Sequence, residues 1–195
     1  MQKNKKITVG IIGLGYVGLP LSIRMASKFN VLGYDVDKER INQLKRNIDN
    51  TKEVSKKELL KEKSLKFTNN IKEINECNFY IVTLPTPINK NKKPDLTILK
   101  SATKSLAKYI KKDDIIVYES TVYPGVTEEI CAPIIEKYSG LKFNKDFFCG
   151  YSPERINPGD TKNTIDKIIK VTSGSNEYAA EVIDKLYKSV ISAGT

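Results

Sequence analysis

The sequence predicts an α/β fold: a doubly wound, mostly parallel sheet with helices on both faces. Three observations carry that expectation. Short apolar runs rich in β-branched residues alternate with longer amphipathic segments, the pattern of repeated strand–helix–strand units. The first run is apolar without polar alternation, as a strand covered on both faces must be. A glycine-rich turn follows that run directly. The 195 residues show no internal repeat and no low-complexity linker, so residues 1–195 read as one domain.

In order, Ile7 to Ile12 is the first strand, and a helix follows from about Tyr16 to Lys28. Val31-Leu32-Gly33-Tyr34 is a second short strand ending at Asp35. Lys38 to Asn47 reads as helix, and Ser55 to Lys63 as another, with Ser55 and Glu58 at the spacing of a capping box. Phe79 to Leu84 is a strand stopped by Pro85 and Pro87, and Asn89 to Pro94 is a polar loop. Asp95 is placed to cap a helix whose apolar face is Leu99, Ala102, Thr103, Leu106 and Ile110. After the strand Ile115 to Tyr118, Pro124 can open a helix, and Pro133 inside it predicts a kink or break. Phe147 to Tyr151 and Ile168 to Val171 both read as strands. A final helix presents Ala179, Val182, Ile183, Leu186, Tyr187 and Val190 at helical spacing.

Composition excludes several classes. Hydrophobic residues make up 39% and charged residues 29%, as in ordinary globular domains, and no stretch approaches the length of a membrane span. The chain reads as cytoplasmic, without a membrane partner. It has no His, and Cys77, Cys131 and Cys149 form no CxxC pair. That argues against a metal site and against a Ser-His or Cys-His pair, and leaves the cysteines as buried small hydrophobes. The net charge of +10 is mostly Lys interleaved with Glu and Asp, the pattern of solvated helix faces. No nucleic-acid partner is expected, although a diffuse positive field helps to gather anionic small molecules.

Gly13-Leu14-Gly15-Tyr16-Val17-Gly18 is a GxGxxG that follows a strand and opens a helix, and Asp35 ends the next strand. That context is what the Rossmann dinucleotide fingerprint requires. Gly13 permits the tight turn, Gly15 lets the backbone approach a pyrophosphate, and Gly18 lets helix and strand pack closely. Asp35 can accept hydrogen bonds from ribose hydroxyls and repels a 2′-phosphate, which favours NAD over NADP. Arg40 pulls the other way, because an arginine there could hold a 2′-phosphate, but a carboxylate at the strand end dominates.

Ligands of open α/β sheets bind beyond the carboxyl ends of the strands. Pro85-Thr86-Pro87, Glu119-Ser120-Thr121 with Pro124-Gly125, and Ser152-Pro153-Glu154-Arg155 follow three such ends. Together with Gly15 to Pro20, Asp35-Val36-Asp37 and Arg40, in that order, they make the chain resemble the UDP-glucose/GDP-mannose dehydrogenase family over nearly its whole length. Tyr118 to Gly125 and Tyr151 to Asp160 resemble the UDP-N-acetylhexosamine 6-dehydrogenase branch, which supplies uronic acids for Vi-antigen and O-antigen polysaccharides.

The resemblance implies oxidation of a sugar C6 alcohol to a carboxylate with two NAD, through a thiohemiacetal and a thioester on a Cys. It implies that the nucleophilic Cys, the central helix and the C-terminal UDP-sugar domain lie outside this chain, that the fragment alone is inactive, and that the full protein is a homodimer. Gly13, Gly15, Tyr16, Val17, Gly18, Asp35 and Arg40 are then expected to bind the pyrophosphate and adenosine ribose. Thr86 and Thr121 would lie beside the nicotinamide half, with Pro85 and Ser120 also expected to bind the cofactor. Thr121 and Glu154 would position the hydrolytic water, with Glu154 as general base and in reach of the cofactor. Glu154, Arg155, Ile156 and Asn157 would approach the sugar nucleotide. Glu154 could instead be one half of an ion pair, and Cys149 has no role. UDP-glucose as substrate, a dehydrogenase of the hydroxyacid or 6-phosphogluconate kind, and a non-catalytic NAD-binding module remain as alternatives.

Overall fold

A computed structural model of the chain describes residues 6–155 and 164–195. The apolar runs become β1 (Thr8–Ile12), β2 (Asn30–Tyr34), β4 (Phe79–Val82), β5 (Ile115–Tyr118) and β6 (Phe148–Tyr151), joined by β3 (Leu65–Thr68) and a short β7 (Ser173–Gly174). One sheet contains all seven in the order β3-β2-β1-β4-β5-β6-β7. Every pairing is parallel except β6 with β7. The chain builds outward from β1 to β3, returns, and builds the other way from β4. The β1–β4 boundary is therefore the topological switch point. Ile12, Tyr34, Val82, Tyr118 and Tyr151 lie in register, so the carboxyl ends of five strands form one level edge.

The helices are α1 (Gly18–Ala26), α2 (Lys38–Lys45), α3 (Lys56–Lys61), α4 (Thr97–Ala107), α5 (Ala132–Ser139) and α6 (Glu177–Lys188). Successive strand side chains point to opposite faces and sort the core into two layers. Val9, Ile11, Phe79, Ile81, Ile115 and Val117 join Leu19, Met25 and Ile183 of α1 and α6. Ile12, Tyr80, Val82, Ile116 and Tyr118 join Leu99, Leu106 and Ile135 of α4 and α5. A sheet buried on both faces explains why its strands read as continuous apolar runs. Among the described residues no helix is long and apolar enough to cross a membrane.

Local signals acted much as the sequence predicts. Ser55 and Glu58 form the reciprocal capping box of α3. Asp95 accepts from the Thr97 amide at 2.9 Å, although Leu96 occupies the cap position of α4, and Ile110 packs in the core beyond the helix end. Pro133 does not break its helix, which runs unbroken from Val126 to Ser139 but changes type just before it. A π-helical turn, Val126–Cys131, begins after Gly125 at φ +93° and gives way to α5, with Pro133 in the first turn. Proline has no N–H for the preceding turn, so this junction loses no bond to it.

One expected strand is absent and one observed strand was not expected. Ile168 to Val171 is not a strand, because its side chains face the wrong way for one that is covered. Lys170 is 3% exposed while Ile169 and Val171 are 59% and 50% exposed. The Lys170 amide donates to the Gly194 carbonyl, and its ammonium group anchors the segment inward. The antiparallel strand comes later, at β7. The edge strand β3 escaped the sequence pattern because it is short and only half buried.

Candidate functional site

The glycine loop sits at the switch point. Gly13 has φ +96°, and a Cβ there would lie 2.8 Å from the Thr83 carbonyl. A Cβ on Gly18 would lie 1.9 Å from the Gly13 carbonyl, so α1 packs directly on the loop. Around Gly15 nothing lies within 4 Å of an added Cβ. Two glycines thus serve close packing, and the middle one faces open space. No side chain caps α1 and its first turn holds no acid; the Leu19 amide donates to the Gly15 carbonyl at 3.1 Å and Pro20 has no N–H, so an anion here would be met by the turn from Gly15 to Gly18.

Asp35 and Arg40 grip the loop from β2 and α2. Asp35 accepts from the Leu14 amide through Oδ2 at 2.8 Å and from the Asp37 amide through Oδ1 at 3.0 Å. Arg40 donates from Nε to the Leu14 carbonyl at 2.9 Å and pairs through Nη1 with Asp49 at 2.7 Å. Beside them a cleft of about 360 Å³ opens between the strand ends and α4, with apolar walls from Ile12, Leu84, Ile98 and Ala102 and with Asp35 and Tyr34 on its lining.

Hydrogen bonds tie the strand-end loops to one another. Thr83 donates to the Gly13 carbonyl at 2.7 Å, joining the β4 loop to the glycine turn. Ser120 donates to the Leu84 carbonyl at 2.7 Å and accepts from the Leu84 amide at 3.2 Å, while Thr86 donates to the Thr121 carbonyl. Lys170 then links the β5 and β6 ends, reaching Glu119 at 2.8 Å and Glu154 at 3.3 Å. Tyr187 of α6 donates to the other Glu119 oxygen.

Burial pushes the Glu119 carboxyl above its ordinary value, with Lys170 offsetting part of the shift. Burial alone would lower Lys170, but Glu119 and then Glu154 raise it. Desolvation also raises Tyr187 well above the usual phenol range. A lysine kept charged between two carboxylates is thus the electrostatic centre of the β5–β6 edge.

Thr86, Ser120, Thr121 and Glu154 therefore share one edge with the glycine loop and Asp35. The alternative that Glu154 is half of an ion pair is realised with Lys170, and its carboxylate still lies at that edge. Arg155 is exposed and donates to the Ile169 carbonyl at 3.4 Å. Ile156 and Asn157 lie outside the described residues. Cys77, Cys131 and Cys149 are all fully buried, and desolvation pushes the Cys77 thiol up to about 12, as inert core residues. Sequence reasoning missed Glu119, Asp49, Lys170 and Tyr187. A signal existed for Lys170 and Glu119: each is a charge inside or directly after an apolar run, where burial demands a partner.

Comparison with known proteins places this geometry. A model of the UDP-glucose/GDP-mannose dehydrogenase family, NAD binding domain, matches residues 7–191. The chain is 53% identical over 191 residues to a UDP-N-acetyl-D-glucosamine 6-dehydrogenase of Pseudomonas aeruginosa, covering 98% of this chain and 45% of that protein. It is 53% identical over 190 residues to the protein of the same name from Salmonella typhi, covering 97% of this chain and 45% of that one. The crystal structure of an NDP-N-acetyl-D-galactosaminuronic acid dehydrogenase from Methanosarcina mazei Go1 superposes with a TM-score of 0.91 at 27% identity, covering 100% of this chain and 44% of that one. The chain thus spans about half the length of the relatives it matches.

Proposed function

The chain belongs to the UDP-glucose/GDP-mannose dehydrogenase family as its NAD-binding domain, and from that premise we propose that the protein carrying it oxidises the C6 alcohol of a UDP-N-acetylhexosamine to the uronic acid, for surface polysaccharide synthesis. The observation that supports the cofactor half is the open glycine loop gripped by Asp35. The substrate half rests on the 53% identity to proteins named for UDP-N-acetyl-D-glucosamine. Central helix, nucleophilic Cys and UDP-sugar domain belong to the remainder of that protein, which acts as a cytoplasmic homodimer.

The residues present fit NAD. Gly13, Gly15, Tyr16, Val17 and Gly18 would hold the pyrophosphate on the glycine turn at the start of α1. Asp35 would take the adenosine ribose with Arg40 beside it, and the apolar cleft is suited to an adenine ring. Pro85, Thr86, Ser120 and Thr121 would border the nicotinamide half. When bound, NAD supplies the acceptor for hydride leaving C6.

The chain's own chemistry is hydrolytic. Glu154 and Thr121 would hold a water for attack on the thioester, with Glu154 taking its proton. Lys170 holds the Glu154 carboxylate through an ion pair at 3.3 Å. Arg155, Ile156 and Asn157 would meet the sugar nucleotide.

The test supplies the whole protein with NAD and each UDP-sugar in turn. About two NADH should form per UDP-N-acetylhexosamine, since an alcohol reaching a carboxylate gives up two hydrides. Glu154→Gln should slow thioester hydrolysis by about 10²–10⁴-fold, the usual weight of a general base, and slow the first hydride transfer much less. Equal slowing of both steps would count against the water role. Faster turnover of UDP-glucose would favour that sugar as substrate, and no NADH from any sugar would leave an NAD-binding module.

A further inference from the structure

Arg40 stands beside Asp35 yet is committed elsewhere. Its Nε donates to the Leu14 carbonyl while Asp35 accepts from the Leu14 amide, so cation and anion hold the two sides of one loop residue. An arginine beside the adenosine ribose can take a 2′-phosphate through its outer nitrogens if these are free. Here Nη1 pairs with Asp49 at 2.7 Å and Nη2 lies 3.5 Å from the Thr51 hydroxyl. The Arg40 side chain is only 10% exposed.

Asp49 cannot turn away. Its side chain is 0% exposed. Oδ2 accepts from the Glu53 and Val54 amides, each at 2.9 Å. Oδ1 accepts from the Thr51 amide at 3.0 Å and from the Thr51 hydroxyl at 2.7 Å. Burial alone would raise this carboxyl, but the hydrogen bonds from Thr51, Val54 and Arg40 outweigh burial and hold it below its ordinary value. The Asp49 turn is a fixed anion built to receive Arg40.

We propose that Asp49 sets the cofactor preference without touching the cofactor: by pinning Arg40 against the glycine loop, it withholds a cation that would otherwise receive a 2′-phosphate. Selectivity for NAD then has two sources. Asp35 repels the 2′-phosphate, and Asp49 removes the group that would attract it. The inference rests on the reading of the glycine loop as the NAD site. Asp49 is a positioning residue acting through Arg40.

Calorimetric titration of the chain with NAD and with NADP tests it, using wild type, Asp49→Asn and the double variant Asp49→Asn/Arg40→Gln. Asn keeps the size of Asp49 and an acceptor for the Glu53 and Val54 amides, while its NH2 replaces the oxygen that takes Thr51 and Arg40. Asp49→Asn should raise NADP affinity about tenfold, the size of one charge-assisted hydrogen bond, while NAD affinity moves by less than about threefold. The double variant should lose that gain. A gain that survives without Arg40 would reduce the effect to the deleted charge and overturn the proposal, as would no gain at all or equal weakening of both nucleotides. If Asp49→Asn does not fold, Thr51→Val loosens the same latch and should give a smaller NADP gain, whose absence overturns the proposal. Wild type binding neither nucleotide would instead remove the NAD-site reading, and this inference with it. A wild type selective for NAD with selectivity unchanged in Asp49→Asn removes this inference alone.

Discussion

Replacing Lys170 by Met should destabilise the chain by about 3–5 kcal/mol, the usual cost of breaking a buried ion pair by removing one partner. Lys170 is 3% exposed and neutralises Glu119, whose side chain is 0% exposed, and Glu154, whose side chain is 8% exposed. Without the ammonium group two carboxylates face each other inside the protein, with the Tyr187 hydroxyl still donating to Glu119 and the Arg155 amide to Glu154. Glu119→Gln should cost less, because Lys170 keeps Glu154.

The loss should also depend on pH with a defined sign. In the Lys170→Met variant Glu119 loses its cation, so its folded carboxyl rises further above the unfolded value. A raised acid binds its proton more tightly when folded, so folding is favoured as pH falls. The deficit should therefore shrink from neutral pH toward about pH 4.3, the ordinary glutamate value. Urea denaturation of both variants at several pH values measures this. A loss under about 1 kcal/mol, within the range of an exposed pair, would contradict the buried cluster, and so would a deficit independent of pH.

Asp35→Ala should weaken NAD binding by about a hundredfold, and NADP binding by much less. The carboxylate orders the Leu14 and Asp37 amides and, in the proposed complex, accepts from the ribose hydroxyls. Losing two charge-assisted hydrogen bonds at about 1.5 kcal/mol each gives that factor. Deleting the charge also removes repulsion of a 2′-phosphate, so the NAD/NADP ratio should fall even as both affinities drop. Asp35→Asn, which keeps an acceptor for Leu14, should fall between. Titration of the variants measures this, and unchanged affinity for both nucleotides would sink the role of Asp35.

What the sequence made legible follows from how locally each feature is specified. The glycine turn is fixed by residues adjacent in the chain, and Gly13 and Gly18 are where a Cβ has no room. Strands β1, β4 and β5 are buried on both faces, which an unbroken apolar run announces. The edge strand β3 alternates Leu65, Lys66, Phe67 and Thr68 over too few residues to stand out. Ile168 to Val171 misled because hydropathy sees two isoleucines and a valine, whereas the burial of Lys170 dictates the side that faces in. That burial depends on Glu119, 51 positions earlier in the chain, and a separation of that size leaves no local pattern. The Arg40–Asp49 latch was half visible. Arg40 stands where an arginine can hold a 2′-phosphate, but its partner sits in the turn after α2 and reads as an ordinary polar residue.

The central claim is that this glycine loop, with Asp35 at the end of β2, is an NAD site selective against NADP. Calorimetric titration of the 195-residue chain with NAD and separately with NADP tests it most directly. One equivalent of NAD should bind, with NADP at least about tenfold weaker, the difference that one unfavourable charge contact makes. Equal affinity for the two, or tighter binding of NADP, would contradict the claim.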